Sequence, residues 1–152
     1  MRLRDKVSAD LTTAMKERDA ERLSVLRMMK AAIRNREIDE RGELDDAKAI
    51  QVLSTLIKQR KDSIEQFARG GRQDLAEKES REIKVIEEYL PAAPSDEEIG
   101  RVVDEVVRET GASSIKDLGP VMKQCMARFA GKPVDGKKVN AAVKQRLEKQ
   151  EK

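Results

Sequence analysis

The sequence predicts an all-α protein: an N-terminal four-helix part (residues 1–90), a proline linker (91–94) and a smaller three-helix C-terminal part (95–152). Three observations carry that expectation. Apolar residues recur three or four positions apart along nearly the whole chain, the spacing of one helix face. The 152 residues are 40% charged and 38% hydrophobic but only 2% aromatic. Cores must then be built from Leu, Ile, Val, Met and Ala, a mixture typical of helical proteins. Finally, Pro91-Ala92-Ala93-Pro94 breaks helix and leaves a short, semi-stiff extended link.

The elements follow in order. Leu3, Val7, Leu11 and Met15 are spaced by four and predict a helix over about residues 2–17. Asp19 is placed to cap a second helix whose inner face carries Leu23, Leu26, Met29 and Ile33. The run from Asp39 to Leu44 holds Gly42 and several charges and reads as a solvent loop. A third helix is expected from Asp46 to Arg69, lined by Ile50, Leu53, Ile57, Ile64 and Phe67; at 1.5 Å per residue it would be roughly 36 Å long. Gly70-Gly71 stops it. A fourth runs from Gln73 to Tyr89, with Leu75, Ile83, Ile86, Tyr89 and Leu90 as its apolar set.

Beyond the prolines, Ser95-Asp96-Glu97-Glu98 has the capping-box pattern of a helix start. Ile99, Val102, Val103 and Val106 form its inner face, and Gly111 ends it. The sixth helix is expected to begin near Gly119-Pro120, proline suiting a first turn, and to continue through Val121, Met122, Cys125, Met126 and Phe129. Residues Gly131 to Gly136 form a tight loop before a last helix from Lys137 to Glu148, burying Val139, Ala142, Val143 and Leu147.

The inventory excludes most self-contained chemistry. There is no histidine and one cysteine, so Cys125 has no imidazole to make it a thiolate nucleophile, and it reads as a small core residue. A zinc centre is excluded on the same grounds. No calcium loop and no glycine-rich phosphate loop is present; neither a metal nor a cofactor is expected. Ser113-Ser114 with Lys116 resembles amidase machinery, but the position before a helical pattern assigns the serines to capping. Glu77, Glu79, Glu82, Glu87 and Glu88 alternate with Lys78, Arg81 and Lys84, the pattern of a solvated, ion-paired face. No catalytic residue is assigned.

Charge segregation is the functional signal. Between Arg22 and Arg36 stand Arg22, Arg27, Lys30, Arg34 and Arg36 with no acid, and Lys58-Gln59-Arg60-Lys61 adds to them. From Gly119 to Arg146 the cations Lys123, Arg128, Lys132, Lys137, Lys138, Lys144 and Arg146 face one acid, Asp135. The loop Gly131–Gly136 lets backbone approach a ligand, and the following helix start offers N–H groups and a positive dipole end to a phosphate. Lys132, Gly136, Lys137, Lys138, Lys144 and Arg146 are therefore the candidate nucleic-acid contacts, with Arg22, Arg27, Lys58 and Arg60 as a second basic patch. Tyr89, Phe67 and Phe129 are the only aromatics and all lie on apolar faces. Base stacking is not available, so contacts to backbone and shape are expected, as in structured RNA. A lone cysteine and an N-terminal Met-Arg-Leu-Arg-Asp-Lys without an apolar run lead to the expectation of a cytoplasmic protein. No run approaches the ~20 apolar residues that cross a bilayer, so no membrane partner is expected. The oligomeric state is left open.

Several phrases resemble the GatB/YqeY family in its stand-alone YqeY-like form. They are Arg22-Leu23-Ser24-Val25-Leu26-Arg27-Met28, Lys58-Gln59-Arg60-Lys61-Asp62-Ser63-Ile64 and Gly71-Arg72-Gln73-Asp74-Leu75-Ala76-Glu77-Lys78-Glu79. Glu87-Glu88-Tyr89-Leu90-Pro91, Gly111-Ala112-Ser113-Ser114, Asp117-Leu118-Gly119-Pro120-Val121-Met122 and Asp135-Gly136-Lys137-Lys138-Val139 continue in order. The resemblance implies an all-helical N-terminal part and a smaller three-helix tail. It further implies similarity to the tail of the tRNA amidotransferase B subunit, which helps hold tRNA, with contacts at Gly131 through Lys144. The implied partner is tRNA or a tRNA-handling enzyme complex. Two alternatives stand beside it: a non-catalytic component of glutamine-dependent amide transfer (a carbon–nitrogen ligase with subunits supplied in trans), and a protein-interaction adaptor.

Overall fold

The computed structural model describes residues 1–151; Lys152, which closes the expected C-terminal part, lies outside the described residues. The described chain is all-helical: α1 (Leu3–Glu17), α2 (Ala20–Glu40), α3 (Asp46–Arg69), α4 (Gln73–Glu87), α5 (Asp96–Thr110), a 3-10 turn at Ile115–Asp117, α6 (Leu118–Arg128) and α7 (Gly136–Glu151). It divides into two compact units, Met1–Pro91 and Ala92–Lys152.

In the first unit α1 packs on α2, and α3 chiefly on α4. Val7, Ala14, Val25, Leu26, Met29, Ile33, Leu44, Leu53, Ile86 and Tyr89 form the buried cluster. Ile64, Phe67 and Leu75 are only half-buried, because α3 has 24 residues and α1 only 15. The far end of the α3–α4 hairpin therefore has few helices to pack against. The Asp39–Leu44 loop is also not wholly solvated. Leu44 is 1% exposed, and its N–H donates to Glu37 Oε2 at 2.9 Å. Arg4 holds the same carboxylate through Nε at 2.6 Å and Nη2 at 3.3 Å. That guanidinium, aided by the Leu44 N–H, holds the Glu37 carboxyl below the usual range.

One expectation for this unit is corrected outright. Glu82 does not belong to a solvated face: it is 7% exposed, as is Arg60, and Arg60 Nε donates to Glu82 Oε2 at 3.0 Å. The helix ends hold a second departure. Arg18 and Arg41 take left-handed backbone (φ 57° and 56°) at the C-caps of α1 and α2, positions where sequence rules look for glycine.

Tyr89 ties the end of α4 to α1. Its hydroxyl donates to Asp10 Oδ2 and accepts from Arg22 Nη2 at 3.5 Å, while Lys6 Nζ sits 5.3 Å from the ring centroid. Burial, and then the bond to Asp10, push the Tyr89 hydroxyl well above its ordinary value. The neutral phenol thus stabilises the fold below about pH 10, the unfolded value, and that contribution is lost as pH rises through the raised folded value. Tyr89 is the single tyrosine, so tyrosinate absorbance reports it alone. The native protein is expected to titrate at higher pH than the urea-unfolded chain. Tyr89→Phe is expected to cost about 1–2 kcal/mol at neutral pH; coincident titrations would contradict the assignment.

In the second unit Ile99, Val102, Val103, Val106, Val107, Ala112, Val121, Cys125, Phe129, Val139, Val143 and Leu147 form one buried cluster. Ser95 caps α5 by accepting the Glu98 N–H at 3.1 Å, but Glu98 does not complete a capping box; its carboxylate binds Lys132 Nζ at 2.7 Å. The reciprocal box forms instead at Ser114 and Asp117. It starts the 3-10 turn that brings α6 in one residue before the expected Gly119.

Candidate nucleic-acid interface

Val139, Val143 and Leu147 are fully buried and recur every four residues, which fixes the inner face of α7. The spacing then turns Lys137, Ala141 and Lys144 outward together, with Lys138 and Lys149 beside them; all five are exposed. Lys149 lies outside the expected helix because the Lys137–Glu148 pattern fades before the last turn, and it joins this face only because α7 continues to Glu151.

The other C-terminal candidates are engaged by α5. Lys132 binds Glu98, and Arg146 Nε meets Asp104 Oδ1 at 2.7 Å. The Lys132 ammonium holds the Glu98 carboxyl below its ordinary value. Lys138 Nζ stands 3.6 Å from Asp96 Oδ1 with both side chains well exposed, a pair worth little. Arg128 is clamped by Glu105 and Glu109, which raises its pKa, Glu109 most. Among the described residues Lys137 and Lys144 have no carboxylate within ion-pair distance.

The helix start differs from the expectation. Gly136 opens α7, but the Lys137 N–H already donates to Asp135 Oδ1 at 2.9 Å. The Lys138 and Val139 N–H groups turn to the Asp135 carbonyl. A carboxylate caps the positive end of the dipole, so the N–H groups at the start of α7 are already taken, and the candidate lysines lie instead on its outward face.

The second basic patch is divided by the fold. Arg22 binds Glu88 Oε2 at 2.8 Å and Arg60 is buried with Glu82, whereas Arg27 and Lys58 are exposed. The nucleophile candidate is also settled: Cys125 is 0% exposed within the core, and burial pushes its thiol up, away from thiolate chemistry. Among the described residues no cluster of His, Cys, Asp and Glu could hold a metal ion, and no helix is long and apolar enough to cross a membrane.

A family model described as Yqey-like protein matches residues 4–147, nearly the whole chain and both units. The chain belongs to the YqeY-like family. Curated relatives carry the name "Altered inheritance of mitochondria protein 41, mitochondrial". The Kluyveromyces lactis protein is 43% identical over 98 residues, covering 62% of this chain and 53% of the relative. The Lachancea thermotolerans protein is 40% identical over 108 residues, 69% of this chain and 58% of the relative. The YqeY-like chain thus spans little more than half the length of these two. The match to the Saccharomyces cerevisiae (strain YJM789) protein, 30% identical over 153 residues, covers 95% of this chain and 80% of the relative. These names overturn the expectation of a cytoplasmic protein: the relatives are mitochondrial by name. The lone cysteine and polar N-terminus carry no compartment signal strong enough to stand against them.

Proposed function

We propose that this YqeY-like protein is a tRNA-binding accessory module that contacts phosphate backbone and shape through the outward face of α7. The observation that carries the reading is the pair Lys137 and Lys144, exposed on one side of α7 without carboxylate partners among the described residues, while neighbouring cations are neutralised by α5. They stand seven positions apart, about 10 Å along the helix, which lets their side chains reach two phosphates of one backbone. The similarity to the amidotransferase B-subunit tail belongs to this proposal, as does a mitochondrial setting taken from the relatives' names. Within amide transfer the chain would act as a non-catalytic component, since it has no histidine and its one cysteine is buried in the core.

The test is a salt-titrated binding assay of the full chain against folded tRNA and against duplex RNA and duplex DNA of equal length. Preference for tRNA by about tenfold or more over both duplexes is the expected result. Equal, weak binding that disappears at physiological salt would make the basic face generic and remove the reading.

A further inference from the structure

We infer that the groove between α1 and α2 docks an acidic amphipathic helix of a partner protein. A cavity of about 370 Å³ opens there, with Ile33 in its floor, Ile38, Lys30 and Arg34 on the α2 side and Arg4 and Ser8 on the α1 side. Ile38 is 64% exposed, and Met15 is 51% exposed on the side of α1 that carries Arg4 and Ser8. Arg27, Lys30 and Arg34 recur at i, i+3 and i+7, all exposed, and span about 10 Å of α2. Among the described residues none of the three has an ion-pair partner, although Arg4, Arg22 and Arg36 around them do.

Three unpaired cations in helical register beside an apolar hole match a helix with carboxylates at the same spacing and one aliphatic anchor between them. The wall is already built, because Arg4 and the Leu44 N–H lock Glu37 in place, and a preformed wall costs a partner little reorganisation. A nucleic acid fits worse. Glu37 and Glu43 on the lining are paired with Arg4 and set no free charge against either occupant, whereas exposed Ile38 gives an aliphatic anchor a contact and offers phosphate nothing.

The probe is an acidic amphipathic peptide of about 14 residues, with Glu at i, i+3 and i+7 and Leu at i+4. It is titrated into the isotope-labelled full chain with fluorescence anisotropy in parallel. Amide shifts at Lys30, Ile33, Arg34 and Ile38 are expected, with affinity about tenfold weaker when the peptide leucine is serine. Lys30→Glu/Arg34→Glu should weaken binding by about tenfold or more. Arg34 also helps hold the Glu37 carboxyl low, so Lys30→Gln/Arg34→Gln serves as the milder variant and should weaken binding in the same direction. Lys137→Ala/Lys144→Ala should leave peptide binding unchanged, which separates this groove from the α7 face. Equal affinity of the leucine and serine peptides, shifts outside the groove, or displacement of the peptide from these amides by duplex RNA would each overturn the inference.

Discussion

Arg60→Ala is expected to destabilise the first unit by about 3–5 kcal/mol, the cost of stranding one member of a buried ion pair. Each of the three guanidinium nitrogens of Arg60 is engaged. Nε donates to Glu82 Oε2 at 3.0 Å, Nη1 to the Leu56 carbonyl at 3.2 Å and Nη2 to Met28 Sδ at 3.4 Å, with Glu79 3.9 Å from Nε. Removing it leaves the Glu82 carboxylate buried between α3 and α4 with no cation against it. Burying two charges costs nearly what their attraction returns, so the pair adds little net stability while either half alone is costly. The double replacement Arg60→Met/Glu82→Leu is accordingly expected to lie close to wild type or above it. Urea unfolding of wild type and the two variants measures the difference. A loss below about 1 kcal/mol for Arg60→Ala, the range of an exposed pair, would place Arg60 at the surface, where the charge pattern alone puts it.

The second large effect is Leu147→Ala, at about 2–5 kcal/mol. Leu147 is 0% exposed and sits near the end of α7, in a cluster made mostly of valines, Ile99, Cys125 and Phe129. Such a cluster holds few large side chains that could shift to fill the space. The second unit is also small, and a core of that size supplies only about 3–5 kcal/mol in total. Truncation of Leu147 should therefore release α7, with loss of helical circular dichroism and of the proposed RNA binding together. Retention of both would mean that α7 is held by contacts other than its Val139–Val143–Leu147 stripe.

The helices themselves are legible because each buries a stripe that repeats every three or four residues: Ile99, Val102, Val103 and Val106 mark α5 by their spacing alone. The Ser95 and Asp19 caps are equally readable, since a short polar side chain ahead of an apolar stripe has few other uses. What fails to show is burial imposed from another element. Glu82 has the same spacing to Lys78 and Arg81 as any solvated acid, and only the crossing of α3 places Arg60 against it. Leu44 is one apolar residue in a polar run, and its burial comes from the first unit's core cluster, with its N–H taken by Glu37 of α2.

The candidate site divides along the same line. The outward placement of Lys137 and Lys144 follows from helical period. Which cations remain unpaired does not, because Glu98, Asp104 and Asp96 come from α5, more than thirty positions away in sequence. Asp135 is the instructive miss. A lone acid in a basic run reads as a minor dilution of charge, yet at the cap of α7 it occupies the N–H group that a phosphate would need.

The central claim, that the α7 lysines meet phosphates, is tested most directly by the salt dependence of tRNA binding in wild type and in Lys137→Ala/Lys144→Ala. With about four to six phosphate contacts, log K against log[salt] should slope near −4 to −5 for wild type, and removing two contacts should make it shallower by about 2. Both substituted positions are exposed, so melting should be unchanged. An unaltered slope and affinity in a folded double variant would contradict the account and move any RNA contact off α7.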